Sequence, residues 1–334
     1  MDKMYKYDRE QLKELYTSGL ALRGRIETEV DAFWQKGIRR ICWMGIGGTW
    51  ASCMQAAVHM RERSALDILV ENAAEYLTSG NRRIGSETLV VISSVTGTTK
   101  EMVAGVEAVH RAGAAVLGFI DAPESALAKS VDICISCPKN EQMKFFMVAD
   151  RFMFLEGVFP EYDAYYASLD RYLADDLAEV EHQADDFARD FCERNMDNAL
   201  TYFVGAGALY GATYSYGMCY WEEMHWMRTK SVHAAEFFHG MLEIIDEDTP
   251  VVVLQGEDSQ RPLTERVIRF LEKVNRRYTV IDSADYEMPG IPEAYRGNIA
   301  HLIVHAVTNR IDLNLEQMSG HDMEIRRYYR KADY

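Results

Sequence analysis

Two kinds of segment alternate along most of this chain. Short apolar runs, IRRICWMG (38–45), LDILVEN (66–72), ETLVVISS (87–94), AAVLGFID (114–121) and DICISCP (132–138), are separated by helix-length segments, the first of them running from Ala51 to about Arg63. Strands alternating with helices are the pattern of βαβ units, which predicts an α/β fold with a parallel, doubly wound sheet closing near residue 140. An amphipathic N-terminal helix (8–36) precedes it.

Residues 141–195 carry no strand signal and many acids, and are expected to be continuously helical. The alternation then resumes: LTYFVGAGALYG (200–211) reads as a strand and glycine turn, TYSYGMCYWEEMHWMRT as helix, PVVVLQGED (250–258) as strand and turn, TERVIRFLEKVNRR as helix, YTVIDS (278–283) as strand and HLIVHAVTNRIDLNLE (301–316) as a closing helix. The two halves form an imperfect internal repeat, and two α/β subdomains of similar topology are its simplest account.

Composition narrows the partners. The chain has 334 residues, 48% of them hydrophobic and 26% charged, with no run approaching the ~20 apolar residues of a membrane span. Its N-terminus, MDKMYKYDREQLKELY, has neither a secretory nor a transit pattern, so a cytoplasmic location is expected. A net charge of −16 argues against nucleic acid as a partner, though not against a small anion in a local pocket. The six cysteines lie mostly in apolar runs and read as small buried hydrophobes; strand alternation points Cys134 and Cys137 to opposite faces, and no metal site is expected.

Chemistry is suggested by VISSVTGTTKEMV (91–103), a buried strand that runs into Ser93, Ser94, Thr96, Thr98 and Thr99 around Gly97. In open parallel sheets ligands bind beyond the carboxyl ends of the strands, where helix N-termini present unpaired N–H groups; hydroxyls add donors and glycine allows close approach. The stretch therefore reads as a phosphate cradle. A plain helix cap by Thr98 or Thr99, with Glu101 as capping-box partner, is the alternative. GIGGT (45–49) and GAGALYG (205–211) fall short of nucleotide-binding loops: Trp50 replaces a third glycine, Glu71 is the only acid near the end of the next strand, and no P-loop lysine follows.

SSVTGTTKE resembles the phosphosugar-binding signature S-x-S-G-x-T of the sugar isomerase (SIS) family, with Thr96 in place of the second serine and Val95 at an often polar position. The resemblance implies two SIS subdomains, each a mostly parallel sheet flanked by helices in a flavodoxin-like three-layer sandwich: an N-terminal helix (1–35), a first subdomain (36–195), a second (196–316) and a tail (317–334). Ser94, Thr96, Gly97 and Thr99 would hold the phosphate and sugar, and Thr49 and Ser52 are the hydroxyls available from the first glycine loop. The acids of QGEDSQ (255–260) would repel phosphate from the second subdomain.

In the second half Glu223 is followed sixteen residues later by His239 before Gly240, a spacing similar to that in the isomerase domain of glucosamine-6-phosphate synthases. The resemblance implies that Glu223 carries a proton between C1 and C2, that His239 assists ring opening across a subunit boundary, and that Lys331 enters the site. The roles are chemically sound: one carboxylate within reach of both carbons can shuttle the proton, and histidine exchanges protons near neutrality. The duller readings are a solvated Glu222–Glu223 pair and a free tail in which Arg326, Arg327 and Arg330 bind phosphate or the acidic body.

No glutaminase portion is recognised, and the two-subdomain layout with an RRYYRK tail looks most like the fructosamine (fructoselysine) 6-phosphate deglycases. That implies a hydrolase needing no cofactor or metal, acting on a phosphorylated amino sugar as a homodimer or higher oligomer with shared sites, without nucleic acid or membrane partners. An aldose–ketose isomerase or amino-sugar deaminase using the same residues, and a non-catalytic phosphosugar sensor, are the alternatives.

Overall fold

The computed structural model describes residues 4–329, 331 and 332. They form two compact units, one of residues Glu14–Arg171 and one made from the residues before and after that span.

In the first unit, α1 (Arg9–Leu20, which begins just before the boundary) and α2 (Arg23–Gln35) lead into β1 (Arg40–Gly45), α3 (Gly48–Arg61), β2 (Asp67–Asn72), α4 (Ala73–Ser79), β3 (Thr88–Ser94), α5 (Lys100–Arg111), β4 (Ala115–Ile120), α6 (Ala126–Ser130), β5 (Ile133–Ile135), α7 (Glu141–Glu156) and α8 (Tyr162–Ser168). The sheet is wholly parallel in the order β2-β1-β3-β4-β5. The inner strands β1, β3 and β4 are buried on both faces, which is why they read as continuous apolar runs. On one face Cys42, Met44, Val90, Ile92 and Val116 form a core with Met102, Val106 and Val109 of α5. On the other, the rings of Trp43 and Phe119 lie 5.1 and 6.1 Å from Phe145 of α7.

The second unit continues with a π-helical turn (Leu169–Leu173), α9 (Ala174–Gln183), α10 (Asp185–Asn195), β6 (Thr201–Gly205), α11 (Ala208–Ser215), a second π-helical segment (Tyr216–Glu222), β7 (Thr229–His233), β8 (Val251–Gln255), α12 (Arg261–Val274), β9 (Tyr278–Asp282) and α13 (Glu293–Ser319). Its sheet is also parallel, in the order β7-β6-β8-β9. Matching β6 to β1, β7 to β2, β8 to β3 and β9 to β4 gives one topology twice, so the internal repeat of the sequence is a repeat of fold. One face packs Val204, Val251 and Val253 against Val267 and Leu271 of α12. On the other, Trp221 lies 5.0 Å from Phe203 and 6.1 Å from Phe191.

Several elements differ from expectation. The single N-terminal helix is two, interrupted at Ala21–Leu22; Gly19 just before the break lies so close to Asn140 that an added Cβ would stand 2.8 Å from its amide nitrogen. The helical stretch 141–195 is broken after α7 by Gly157, whose φ of +86° makes it a left-handed cap, with Val158 N–H bonded back to Met153 O at 3.0 Å. The closing helix begins earlier, behind Pro292, and runs to Ser319. DICISCP contributes only three strand residues. The helix expected through MHWMRT stops at Glu222, and the polar sequence TKSVH is a strand: β7 lies at a sheet edge, where exposed Lys230 is tolerated and no apolar run is required. Among the described residues no helix is long and apolar enough to cross a membrane.

Candidate active site

Each sheet has its topological switch point beside its first strand. In the first unit the connection from β1 runs toward β2 and that from β3 toward β4, so a crevice opens between the two loops at their carboxyl ends. The loop from β3 carries the hydroxyls. Gly97 N–H donates to Ser94 Oγ at 3.0 Å, and Thr98 Oγ1 donates to Thr96 Oγ1 at 3.0 Å. Gly97 has φ +62°, and a Cβ there would stand 2.0 Å from Ser125 Oγ, so both conformation and space demand glycine. Thr99 holds the N-cap position of α5 without using its side chain as a cap. The plain-cap reading with Thr99 therefore lacks its side-chain hydrogen bond; Met102 N–H bonds Thr99 O at 3.0 Å, and the N–H groups of Lys100 and Glu101 are left for another acceptor.

The loop thus brings Ser94, Thr96, Gly97 and Thr99 together on one turn. Thr49 and Ser52, on α3, are engaged elsewhere: Thr49 Oγ1 donates to Glu141 Oε2 at 2.8 Å, and Ser52, 2% exposed, turns its hydroxyl to Gly48 O at 3.4 Å. Glu141 lies 92 residues from Thr49, and no local pattern announces the pair.

The equivalent crevice of the second unit is filled from within. Gly207 N–H donates to Gln260 Oε1 at 3.1 Å and Ala208 N–H to Asp258 Oδ2 at 3.3 Å, so the carboxylate of Asp258 sits where α11 would otherwise take an anion. A Cβ on Gly207, φ +59°, would stand 2.3 Å from that oxygen. Glu257 is turned away into a bidentate pair with Arg296 at 2.7 and 3.0 Å. The two acids of QGEDSQ thus have separate tasks, one bracing the fold and one occupying the helix end.

Glu223 comes directly after the π-helical segment, with its N–H bonded to Met218 O at 3.1 Å. Such segments recur at functional sites because the extra residue re-aims the side chains beyond it. Adjacent carboxylates part company here. Glu222 Oε1 accepts from Thr229 N–H at 3.2 Å and Thr229 Oγ1 at 2.8 Å, whereas Glu223 Oε1 accepts from Arg326 Nε at 2.7 Å. Beneath them His225 Nε2 lies 3.2 Å from Asp312 Oδ1, both side chains 3% exposed, and burial pushes the Asp312 carboxyl up.

His239 stands in the turn after β7, exposed, its backbone N–H bonded to Glu236 O at 3.0 Å; among the described residues its imidazole makes no hydrogen bond. His233, at the end of β7, is different: its Nδ1 accepts from Ala235 N–H at 3.1 Å, and burial lowers its pKa. Lys331 is exposed in the last described turn, where its backbone N–H bonds Tyr328 O at 2.8 Å, and Arg330 lies outside the described residues. Arg326, one of the tail arginines expected to bind phosphate or the acidic body, donates to Glu223, a partner that no local pattern announces.

The SIS domain profile matches residues 36–154. Fructosamine deglycase FrlB of Bacillus subtilis is 29% identical over 324 residues, covering 93% of this chain and 98% of that protein. Fructoselysine 6-phosphate deglycase of Escherichia coli strain K12 is 23% identical, over 90% and 88% of the two chains. A Bacillus subtilis crystal structure described as a phosphosugar isomerase superposes with a TM-score of 0.85 at 27% identity, covering 93% of this chain and all of the other. Residues 36–154 thus match the SIS domain, and along nearly its whole length the chain is similar to fructosamine deglycase FrlB.

Proposed function

We propose that this chain is a deglycase that hydrolyses a fructosamine 6-phosphate, fructoselysine 6-phosphate being the type substrate, to glucose 6-phosphate and a free amine. The observation that carries the reading is the likeness to fructosamine deglycase, which spans 93% of this chain and 98% of that one. The hydroxyl loop at Ser94–Thr99 and the carboxylate of Glu223 agree with it in chemistry.

The sugar phosphate is held by Ser94, Thr96, Gly97 and Thr99 at the N-terminus of α5, where hydroxyls and backbone N–H groups meet its oxygens. His239 exchanges a proton with the ring oxygen as the hemiketal opens. Glu223 removes a proton from C1 of the open-chain aminoketose, giving an enaminol, and returns it to C2, giving the iminium of glucose 6-phosphate. Water adds at C1, the C1–N bond breaks, and the amine leaves with a proton. The sum is one water consumed and one amine released, with no redox change.

An exposed His239 suits a residue that completes the site of a neighbouring copy, so the working form is a homodimer or larger. In this reading Lys331, on the tail, closes over the open-chain sugar. Thr49 and Ser52 would join the phosphate site only by releasing Glu141 and Gly48 O. A doubly charged sugar phosphate does not cross a bilayer unaided, and in this reading it is formed and met in the cytoplasm.

The test is to incubate the protein with fructoselysine 6-phosphate and, separately, with fructose 6-phosphate plus ammonia, using Glu223→Gln as control. Glucose 6-phosphate should form from the first mixture and be lost, by about 1,000-fold or more, in the variant. Product from the second mixture alone would replace the deglycase with an amino-sugar isomerase or deaminase.

A further inference from the structure

The last described stretch of the chain does not leave the second unit but folds back on the residues around Glu223. His321 Nε2 lies 3.0 Å from Met224 O, and its ring centroid is 4.3 Å from that of Trp226. The guanidinium of Arg327 sits 3.9 Å over the Trp226 ring. Trp226 itself has φ +59°, a conformation that an aromatic residue adopts only where its surroundings impose it. Between these contacts Arg326 Nε donates to Glu223 Oε1 at 2.7 Å.

Two features make this more than a surface ion pair. The guanidinium is oriented from behind by its own turn: one of its terminal nitrogens donates to Met323 O at 2.5 Å and Ile325 O at 3.2 Å, while Ile325 N–H bonds Asp322 O at 3.1 Å. The pair is also one-sided, because the donor meets Oε1 only, and Glu223 Oε2 makes no hydrogen bond among the described residues. A carboxylate held by one oxygen on a braced donor loses its freedom to swing, and presents the other oxygen in a fixed direction. Proton transfer between adjacent carbons requires one oxygen to stay within reach of both.

Resting on the reading of Glu223 as the proton carrier, we propose that Arg326 is a positioning residue of the reaction: the tail segment 321–327 is a strap that pins Glu223 Oε1 and leaves Oε2 to move the proton. The partners are 103 residues apart and come from different elements, so the site is complete only when the tail is docked. With side-chain exposures of 18% and 33% the pair adds little to folding stability, and its effect belongs in turnover.

The experiment compares kcat and KM of the full chain with its Arg326→Gln, Arg326→Lys and Glu223→Gln variants on fructoselysine 6-phosphate, with melting temperature and tryptophan emission as checks on folding and on the tail's contact with Trp226. In Arg326→Gln kcat should fall about 100-fold, the loss that a displacement of about 1 Å produces, while KM stays within about threefold. Arg326→Lys, which keeps a cationic donor without the planar fork, should regain about tenfold of that loss, and free guanidinium should restore part of the Gln variant. Wild-type or higher kcat in Arg326→Gln, or a loss confined to KM, would overturn the proposal. If the Gln variant melts early, the Lys variant decides: a well-folded Arg326→Lys protein no faster than Arg326→Gln sinks it. Activity in Glu223→Gln would instead remove the base assignment itself, so the two failures are told apart.

Discussion

Glu181 on α9 is 2% exposed, and Asn309 Nδ2 of α13 donates to its Oε1 at 2.9 Å. Burial is the dominant influence and drives its pKa from the ordinary 4.5 to about 7, with Asn309 and the Arg310 charge opposing. Below the unfolded value the group is protonated in both states and costs nothing. As pH rises from 4.5 toward 7 the unfolded chain releases the proton and the folded chain keeps it, so stability is lost through that window and the deficit is constant above it. At about 1.4 kcal/mol per pH unit the deficit reaches roughly 3 kcal/mol. Glu181→Gln keeps an acceptor for Asn309 and removes the titration. Urea unfolding of both proteins at matched pH cancels every other carboxylate in the difference. The variant should gain about 3 kcal/mol on the wild type between pH 4.5 and pH 8. A difference that does not change with pH by more than about 0.5 kcal/mol would show that Glu181 is not held neutral by burial, and would refute the reasoning.

Gly97→Ala forces a Cβ to within 2.0 Å of Ser125 Oγ at φ +62°, so the hydroxyl loop must shift; KM for the phosphosugar should rise at least about tenfold, and calorimetric binding of inorganic phosphate should weaken with it. Asp258→Ala empties the end of α11, leaving Ala208 N–H without its acceptor; the melting temperature should drop by the equivalent of about 1–2 kcal/mol in phosphate-free buffer and recover in part when phosphate is added, a recovery the wild type does not share. Asp312→Asn leaves buried His225 facing an amide rather than a carboxyl group; kcat should fall with the displacement of the adjacent Glu223 segment, and an unchanged kcat would show that the buried pair does not position that segment.

The halves of the chain differ in how openly they declare themselves. β1, β3, β4, β6 and β8 are legible because a strand with both faces covered must be apolar throughout, and LVVIS and VVVLQ cannot be satisfied elsewhere. The glycine turns after β1, β3 and β6 are legible for a related reason, since Gly47, Gly97 and Gly207 all stand at positive φ where side chains are strained. β7 was hidden because an edge strand carries no such demand. The π-helical segment before Glu223 was hidden because its residues suit an ordinary helix; its Trp221 and Tyr216 pack on Phe203, a contact made only in the folded chain.

By itself the sequence determined the class of fold, the doubling of the sheet, and the hydroxyl cluster at the end of β3. Each is a local matter of residue type and spacing. Only the tertiary structure decided which side chains face one another: Thr49 with Glu141, Asp258 with the start of α11, Arg326 with Glu223. Polar pairs of this kind are separated by 50 to 103 residues, and their partners are fixed by where the packed elements carry them. Burial dictates composition along the chain, but a hydrogen bond depends on direction and distance, and those exist only once the chain has folded.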